Sequence, residues 1–323
     1  YAVESEYYIN DAGNQIDNLA ASVNARYLEL LGQENTFPEN GYHGRDIIDT
    51  AQRIIEHHND QYLQMSEAER LQIFKTLALE EKLAALKEDL QAFNVSFDNW
   101  FSELTLHQAG AIEETCNVLL DNGNMFKEDG ALWLKSTAYG DDKDRVVIRD
   151  NGVPTYLAAD IAYHRDKMER GFDTLINIWG ADRHGYIARV KAAIAALGYS
   201  GEALEVLILQ MVSLYQNGEL VKMSKRTGQS ITLTELIEEV GTDAARFFFI
   251  MRSIDSQLDF DLDLAKSRSN ENPVYYIQYA HARICSIFRQ ADEARIKYNE
   301  NSAKLELLNS ETEVALIKKL TEY

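Results

Sequence analysis

A cluster of cations lies in the segment LVKMSKRTGQS, residues 220–230. Lys222, Lys225 and Arg226 fall within five positions, in a chain that has 52 acidic and only 32 basic side chains. Like charges repel, so this cluster indicates an anionic ligand. A loop of lysines, an arginine and Ser224 can wrap a polyphosphate, and its cations would lower the barrier to expelling pyrophosphate. The alternative is an ordinary solvated loop of basic residues.

A second candidate is GADRHG, which follows the apolar stretch TLINIW. In an α/β protein this loop would lie at the carboxyl end of a buried strand, where ligands bind. Asp182 could accept a hydrogen bond from a ribose hydroxyl and His184 could contact a phosphate, while glycine lets a nucleotide approach the backbone. The alternative is a helix-capping Asp and a loop His.

A third candidate is VPTYLAADIAYHRDK. If a helix begins near Thr155, Tyr156 and Asp160 lie one turn apart on the same face. A carboxylate beside a phenol suits a guanidinium or ammonium ligand. The alternative is that Asp160 binds its own His164 and that Tyr156 belongs to the core.

The elements around these candidates alternate strand and helix, which favours an α/β fold with a parallel sheet. TLINIWG predicts one strand, 187–197 a helix that Gly198 ends, and LEVLILQMVSLY a second strand. Asn217-Gly218 predicts a hairpin turn. Beyond Asn272-Pro273 the pattern is helical only.

The first third of the chain predicts a side layer or insertion of helices. Ser66 and Glu69 form a capping box at the start of one of them. The predicted elements are a strand over 3–9, helices over 16–31, 45–58 and 67–90, a strand over 95–103, a helix over 108–122 and a hairpin at Asp129-Gly130.

Composition limits the class of protein. The chain has 323 residues, of which 46% are hydrophobic, which suits about two globular domains. No apolar run is long enough to span a bilayer and no signal peptide is evident, so we expect a cytoplasmic protein. A net charge of -20 opposes general nucleic-acid affinity, although a local basic patch could still bind RNA. Cys116 and Cys285 predict two small buried side chains rather than a disulfide.

The motifs together resemble one family, the bacterial arginyl-tRNA synthetases of class I. The resemblance covers essentially the whole chain. It rests on YYINDAGNQI, FDNWFSE, TYLAADIAYH, GADRHGYIARVKAA, VKMSKRTG, GTDAARFFFIMRS and DFDLDLAKSRSNENPVYYIQYAHARI, in this order.

This resemblance implies a Rossmann-like, parallel-sheet catalytic core over residues 1–266, with a helical insertion at about 42–92. The start of an incomplete, all-α anticodon-binding domain follows over 267–323. It also implies site residues. For ATP, the implied residues are Lys222, Ser224, Lys225 and Arg226 at the phosphates, Gly180, Asp182 and His184 lining the site, and Gln210, Met211 and Val212 near adenine. The guanidinium would be held by Tyr156 and Asp160, and the pocket floor would be formed by Asn10, Asp11, Gly13 and Gln15. The residues implied to contact tRNA are Lys266, Arg268 and Arg283.

The implied reaction has two steps. The carboxylate of arginine attacks the α-phosphate of ATP and expels pyrophosphate, and the arginyl group then passes to the terminal adenosine of tRNA-Arg. The carboxylate is already ionised at neutral pH, so catalysis needs positioning and charge neutralisation rather than a general base. The expected partners are L-arginine, ATP with Mg²⁺, and tRNA-Arg. We expect no prosthetic group, protein-bound metal, membrane or DNA, and a monomer when the protein is complete.

Three departures from the family pattern qualify this interpretation. The first class I motif, His-x-Gly-His, and the domain before it would precede Tyr1, and the helical domain would extend beyond Tyr323. Arg183 stands where many relatives have histidine. We therefore expect an internal fragment that does not charge tRNA by itself. The alternatives are another Rossmann-like adenylyltransferase, which would not need the helical tail from Asn272, and a non-catalytic module that binds tRNA or a protein.

Overall fold

The structure, a computed structural model, describes residues 1–221, 231–297, 299 and 303–323. These residues form two compact units, Tyr1–Lys266 and Ser267–Tyr323. The predicted phosphate-binding residues Lys222, Ser224, Lys225 and Arg226 lie outside the described residues.

Parallel strand pairs form the framework of the first unit. β1 is parallel to β2, β6 to β7 and β8 to β10, while β3, β4 and β5 form an antiparallel meander and β9 pairs with β8 in a hairpin. The strands are β1 (Glu6–Ile9), β2 (Asn99–Ser102), β3 (Met125–Glu128), β4 (Ala131–Leu134), β5 (Arg145–Ile148), β6 (Leu175–Gly180), β7 (Leu204–Leu209), β8 (Val212–Gln216), β9 (Glu219–Leu220) and β10 (Leu258–Asp261).

Helices connect and cover these strands, which confirms the predicted α/β class. In the first unit they are α1 (Asn14–Leu30), α2 (Arg45–His58), α3 (Glu67–Ala92), α4 (Glu103–Gln108), α5 (Ala111–Asp121), α6 (Tyr156–Glu169), α7 (Ile187–Ala196), α8 (Leu233–Val240), α9 (Thr242–Ile250) and α10 (Leu262–Lys266). The second unit contains α11 (Pro273–Glu293) and α12 (Glu311–Glu322).

Separate apolar cores hold the first unit together. One lies between α5, α6, α7 and the β3–β5 meander, and includes Leu119, Leu134 and Ile161. Another holds α1, α2 and α3 together around Tyr27 and Phe74. The three helices thus have a core of their own, separate from the one that supports α6.

Local signals in the sequence fix several element ends. Ser66 and Glu69 form the predicted capping box of α3. Asp129 and Gly130 have φ angles of 48° and 80°, and Asn217 and Gly218 have 53° and 75°. A two-residue hairpin of the primed type needs positive φ at both central positions, so both predicted hairpins are confirmed.

The prediction of one strand over LEVLILQMVSLY is wrong. The first part of the run, β7, pairs with β6 and ends at Leu209, and the chain enters a different sheet at Val212, where β8 pairs with β10. The backbone N–H of Gln210 instead donates to the carbonyl of Ile254, at 3.4 Å. Pairing with strands from distant parts of the chain therefore breaks a run that is continuously apolar in sequence.

Other boundaries also differ from the prediction. The strands expected over 3–9 and 95–103 are confined to 6–9 and 99–102. The helix expected over 108–122 begins later, as α5 at Ala111, because Gly110 adopts the left-handed conformation and separates it from α4. Cys116 is buried as predicted, whereas Cys285 is partly exposed.

The carboxyl end of α3 packs against α9. Arg246 donates through Nη1 to the carbonyls of Phe93 and Asn94, at 2.7 and 3.1 Å. Its guanidinium also lies over the Phe93 ring, and Phe249 contacts the same ring edge-on. Arg246 thus binds the two carbonyls that directly follow α3 and connects this end of the helix to α9.

The second unit consists of capped helices with large exposed apolar side chains. The Asn272 side chain accepts hydrogen bonds from the backbone N–H groups of Val274 and Tyr275, and Pro273 occupies the first turn of α11. In the described part of the chain, no helix is long and apolar enough to cross a membrane. The exposed apolar residues include Tyr276, Ile277, Ile284, Ile287, Leu316 and Leu320.

Candidate functional site

Helix α6 places the candidate guanidinium-binding residues. Thr155 is extended and precedes the first helical residue, and its hydroxyl binds the carbonyls of Val146 and Val147 at 3.1 and 3.0 Å. Leu157 and Ile161 enter the core shared with the meander. With that face buried, the helix presents Tyr156 and Asp160 on its other side.

A cleft of about 910 Å³ lies beside α6, bordered by β1 and β6. Its lining includes two unbroken runs of residues, 4–8 and 174–179. Consecutive strand residues point to opposite faces, so these runs show that the edges of both strands border the cleft. Within the described residues, β1 pairs only with β2 and β6 pairs only with β7, each along the edge that faces away from the cleft.

The carboxylate of Asp160 faces this cleft and has a polarised environment. Its Oδ2 accepts a hydrogen bond of 2.7 Å from the hydroxyl of Tyr186. Burial raises the pKa of Asp160, and the Tyr186 hydrogen bond and the charges of Arg183 and Lys167 offset this only in part. Burial therefore disfavours the ionised form of Asp160, and a cationic ligand would stabilise that form.

The proposed alternative for Asp160 and Tyr156 does not match their surroundings. His164 Nδ1 lies 2.7 Å from the backbone carbonyl of Asp160, so His164 binds the backbone and leaves the carboxylate available. Tyr156 is 67% exposed and lines the cleft, so it is not a core residue.

A hydrogen-bonded series of three side chains forms part of the cleft wall. His164 Nε2 is 2.7 Å from Asn177 Nδ2, and Lys167 Nζ donates to Asn177 Oδ1 at 3.1 Å. The imidazole must therefore accept at Nε2 and donate from Nδ1, which fixes the neutral tautomer. Burial lowers the pKa of His164 to about 3 and that of Lys167 to about 8.

Glu6 connects β1 to α6 and β2. Its carboxylate accepts from Arg170 at 2.9 and 3.0 Å, from the Tyr163 hydroxyl at 2.5 Å and from Asn99. Burial raises the pKa of Glu6, but these donors outweigh it and hold the pKa below its usual value. This carboxylate is fully engaged and fixes the cleft wall.

The predicted pocket-floor residues separate into two pairs. Asn10 and Gln15 line the cleft and hydrogen-bond each other at 3.3 Å. Asp11 and Gly13 are not among the lining residues. The Asp11 carboxylate accepts from the Ser102 hydroxyl at 2.5 Å and from the backbone N–H of Leu104 at 2.8 Å, so it caps the start of α4.

The predicted nucleotide-binding residues meet at one end of the β6–β7 pair. Gly180 is opposite Leu209, so the two strands end together. Exposed Asp182 and His184 follow the first strand in a short 3-10 helix, Ala181–Tyr186. The second strand is followed by three further predicted residues, Gln210, Met211 and Val212, of which Met211 is 76% exposed.

The predicted tRNA-contacting residues have different environments. Lys266 forms an ion pair with Glu239. In the second unit Arg268 is exposed, and Arg283 donates to the Tyr279 hydroxyl at 3.3 Å. Across the described residues, no group of three or more His, Cys, Asp or Glu side chains is placed to hold a metal ion.

Sequence reasoning did not identify Glu6 and Lys167 as cleft residues or Tyr186 as the partner of Asp160, and it left the role of Arg183 open. Lys167 follows Asp160 by seven positions, a helical spacing that could have indicated it. Arg183 lines the cleft, and its positive charge partly offsets the rise that burial causes in the pKa of Asp160. Tyr186 and Glu6 carry no local signal, because the partner of Tyr186 is 26 residues away and the partners of Glu6 are 93 or more residues away.

The parallel strand pairs, the helices between them and the cleft they border define a class of protein, the class I tRNA synthetases. The family model described as "tRNA synthetases class I (R), catalytic domain" matches residues 8–252, and the chain belongs to that family. A second model, described as "DALR anticodon binding domain", matches residues 277–323.

Similar proteins confirm the family that the motifs indicated. The chain is 56% identical, over its whole length, to an arginine–tRNA ligase from Carboxydothermus hydrogenoformans and 58% identical to one from Bacillus cereus. It spans 58% of the length of each relative. A solved arginyl-tRNA synthetase structure from Campylobacter jejuni is 38% identical, with a TM-score of 0.82 over 94% of this chain and 68% of that one. A Thermus thermophilus structure at 22% identity shares the fold, with a TM-score of 0.65 over 93% of this chain and 60% of that one.

Proposed function

We propose that the full-length protein is an arginine–tRNA ligase, which activates L-arginine with ATP and transfers the arginyl group to tRNA-Arg. The observation that carries the proposal is the Asp160 carboxylate, half-buried in a cleft and without a direct cationic partner among its described hydrogen bonds. A guanidinium would supply the missing charge and two parallel donors. Curated relatives named arginine–tRNA ligases support the same assignment.

In this proposal Tyr156 and Asp160 bind the guanidinium, and Asn10 and Gln15 contribute polar groups to the same cleft. Arg183, which lines the cleft, provides a positive charge that keeps Asp160 ionised. An ionised Asp160 accepts both donors of a guanidinium, whereas a protonated one would lose half of the interaction. The cleft thereby selects a cationic side chain over a neutral one of the same shape.

The nucleotide would bind at the shared end of β6 and β7. Gly180, Asp182 and His184 are assigned to the ribose and phosphates, and Gln210, Met211 and Val212 to adenine. Because the two strands end in register, these residues come from adjacent turns. Mg²⁺ would enter with ATP as part of the substrate.

The chemistry would proceed without a general base in the first step. An arginine carboxylate oxygen forms a bond to the α-phosphorus of ATP, and the bond to the bridging oxygen of pyrophosphate breaks. A terminal hydroxyl of tRNA-Arg then attacks the activated carbonyl and releases AMP. Lys222, Ser224, Lys225 and Arg226, assigned from sequence, would neutralise charge on the departing pyrophosphate.

The assignment of tRNA as the acceptor rests on the second unit. Residues 277–323 match an anticodon-binding domain, and this favours a tRNA partner over a small-molecule acceptor. Arg268 and Arg283 are assigned to tRNA within that unit. Lys266 is a weaker candidate, because Glu239 already neutralises its charge.

The test is arginine-dependent aminoacylation by the full-length protein and its Asp160→Asn variant. The variant should lose about 2 to 4 kcal/mol of arginine recognition, seen as a roughly 30- to 1000-fold lower kcat/KM for arginine. The KM for ATP should change by less than about threefold, since Asp160 does not face the nucleotide. Citrulline, with a neutral ureido group, should compete poorly with arginine on the wild-type protein.

The matched control is Asp121→Asn, which neutralises an exposed carboxylate at the end of α5. It should charge tRNA like the wild-type protein. Equal losses for arginine and ATP in Asp160→Asn would indicate misfolding rather than lost recognition. Full arginine affinity in that variant would refute the assignment of Asp160.

A further inference from the structure

The short 3-10 helix Ala181–Tyr186 has two sides with different surroundings. Asp182 and His184, assigned above to the nucleotide, are exposed beyond the end of β6. Tyr186, the last residue of the same turn, is half-buried and points toward α6. One short turn therefore carries side chains for both halves of the site.

The Tyr186 hydroxyl is the described side-chain donor to the Asp160 carboxylate. The O–H donates to Oδ2 at 2.7 Å. The torsion that rotates a carboxylate about its last bond is broad and twofold, so an unanchored Asp would sample many orientations. With Oδ2 bound to Tyr186, the remaining oxygen is held toward the cleft.

The Tyr186 ring contacts two neighbouring side chains. Trp179, from the end of β6, contacts the ring at a centroid distance of 5.9 Å. The guanidinium of Arg189, in α7, lies 4.9 Å from the ring centroid. The hydroxyl position therefore depends on the junction between β6, the turn and α7. Any ligand that fixes this turn also fixes the hydrogen bond to Asp160.

We propose that Tyr186 is a positioning residue that couples nucleotide binding at the Ala181–Tyr186 turn to guanidinium binding at Asp160. This inference rests on the proposed function. The turn has four consecutive exposed residues, 182–185, so a nucleotide that contacts Asp182 and His184 orders it. The turn then loses its conformational entropy only once, when the first ligand binds, so each ligand strengthens the binding of the other.

The experiment measures arginine binding to the full-length protein by calorimetry, with and without a non-hydrolysable ATP analogue. The analogue should tighten arginine binding about fivefold or more in the wild-type protein, and arginine should tighten the analogue by the same factor. In Tyr186→Phe this factor should fall close to one. The affinity for the analogue alone should stay within about threefold, because the hydroxyl does not face the nucleotide.

Two further variants complete the design. Tyr139→Phe is the matched control, because it removes a hydroxyl that binds Asn124 Oδ1 at 2.8 Å outside the cleft. It should keep the wild-type coupling factor. Arg189→Met removes the cation over the Tyr186 ring and leaves the hydroxyl, so it should lower the factor partially. This variant tests the inference even if Tyr186→Phe folds poorly.

The outcomes separate this inference from the proposed function. A wild-type protein that binds both ligands with a coupling factor of one overturns the role of Tyr186 and leaves arginine recognition intact. An unchanged factor in folded Tyr186→Phe does the same. A wild-type protein that binds the analogue but no arginine overturns the proposed function, and the coupling inference falls with it.

Discussion

Asp160 is prepared for a cation that the free protein does not supply at hydrogen-bonding distance. Its recorded side-chain donor is a neutral phenol, while Arg183 and Lys167 act on it only through their charges. A half-buried carboxylate in this situation is less stable than a hydrated one. The same property that costs stability without a ligand gives affinity when a guanidinium arrives.

This trade-off predicts that Asp160→Asn stabilises the ligand-free protein. The pKa of Asp160 is raised, so folding disfavours the ionised form of this carboxyl, and a neutral amide removes that penalty. The amide oxygen can still accept from Tyr186. We expect a gain of about 0.5 to 2 kcal/mol, measured as a higher midpoint of thermal unfolding at pH 7 without arginine.

The comparison is with Asp121→Asn, whose midpoint should stay near that of the wild-type protein. Saturating arginine should reverse the order, because only the wild-type protein gains stability from the ligand. A lower midpoint for Asp160→Asn without arginine would show that its carboxylate stabilises the fold.

Residue-level prediction from sequence succeeded where partners are close in the chain. Tyr156 and Asp160 share a helical face because they are four positions apart, and both reach the cleft. Glu6 and Arg170, 164 positions apart, form an ion pair that no local pattern contains. Tyr186 was overlooked for the same reason, since its partner lies on the preceding helix.

At the level of elements, strong local signals gave accurate boundaries. The helix predicted over 45–58 matches α2, and the capping box locates the first residue of α3. The break between β7 and β8 could not be predicted, because LILQMVSL has no turn residue and the change of sheet depends on pairing with β10. Tertiary pairing overrides local pattern at that point.

The contact between α3 and α9 leads to a prediction about Arg246. Arg246→Ala removes two hydrogen bonds to the carbonyls of Phe93 and Asn94, which directly follow α3, and the cation over the Phe93 ring. We expect a local loss of about 1 to 3 kcal/mol, seen as faster amide hydrogen exchange over residues 88–94. Exchange in α6 should change little.

Arg45→Ala is a suitable control for that change. Its side chain is 92% exposed and lies 3.9 Å from Asp49, so removing it should alter stability by less than about 0.5 kcal/mol. If both variants exchange alike at the end of α3, Arg246 does not hold that end in place.

At the scale of the whole molecule, β1 and β6 each have an edge that pairs with no other strand among the described residues, and we expect these edges to influence how residues 1–323 behave alone. Ile176 and Ile178 on β6 are 58% and 64% exposed at the cleft. Unpaired strand edges with apolar side chains promote association with other chains. The relatives that carry the activity in their names are also longer, since this chain spans 58% of their length.

We therefore expect a polypeptide of residues 1–323 to charge no tRNA and to self-associate with rising concentration. The assay supplies arginine, ATP, Mg²⁺ and tRNA-Arg, with the full-length protein as the positive control and sedimentation to measure association. Turnover at the rate of the full-length protein would show that these residues hold the complete catalytic apparatus.

The buried, neutral imidazole of His164 affects the stability of the fold at acidic pH. Burial lowers its pKa from 6.5 to about 3, so below about pH 6.5 the unfolded chain takes up a proton that the native chain refuses. Each such proton reduces the free energy of unfolding by up to about 1.4 kcal/mol per pH unit. Urea unfolding at pH 7 and pH 5 should therefore show a loss that His164→Gln lessens. If both proteins lose the same free energy of unfolding between pH 7 and pH 5, groups other than His164 cause the acid sensitivity. The expected result would show that the buried, neutral imidazole of His164 helps to set the lowest pH at which the protein stays folded.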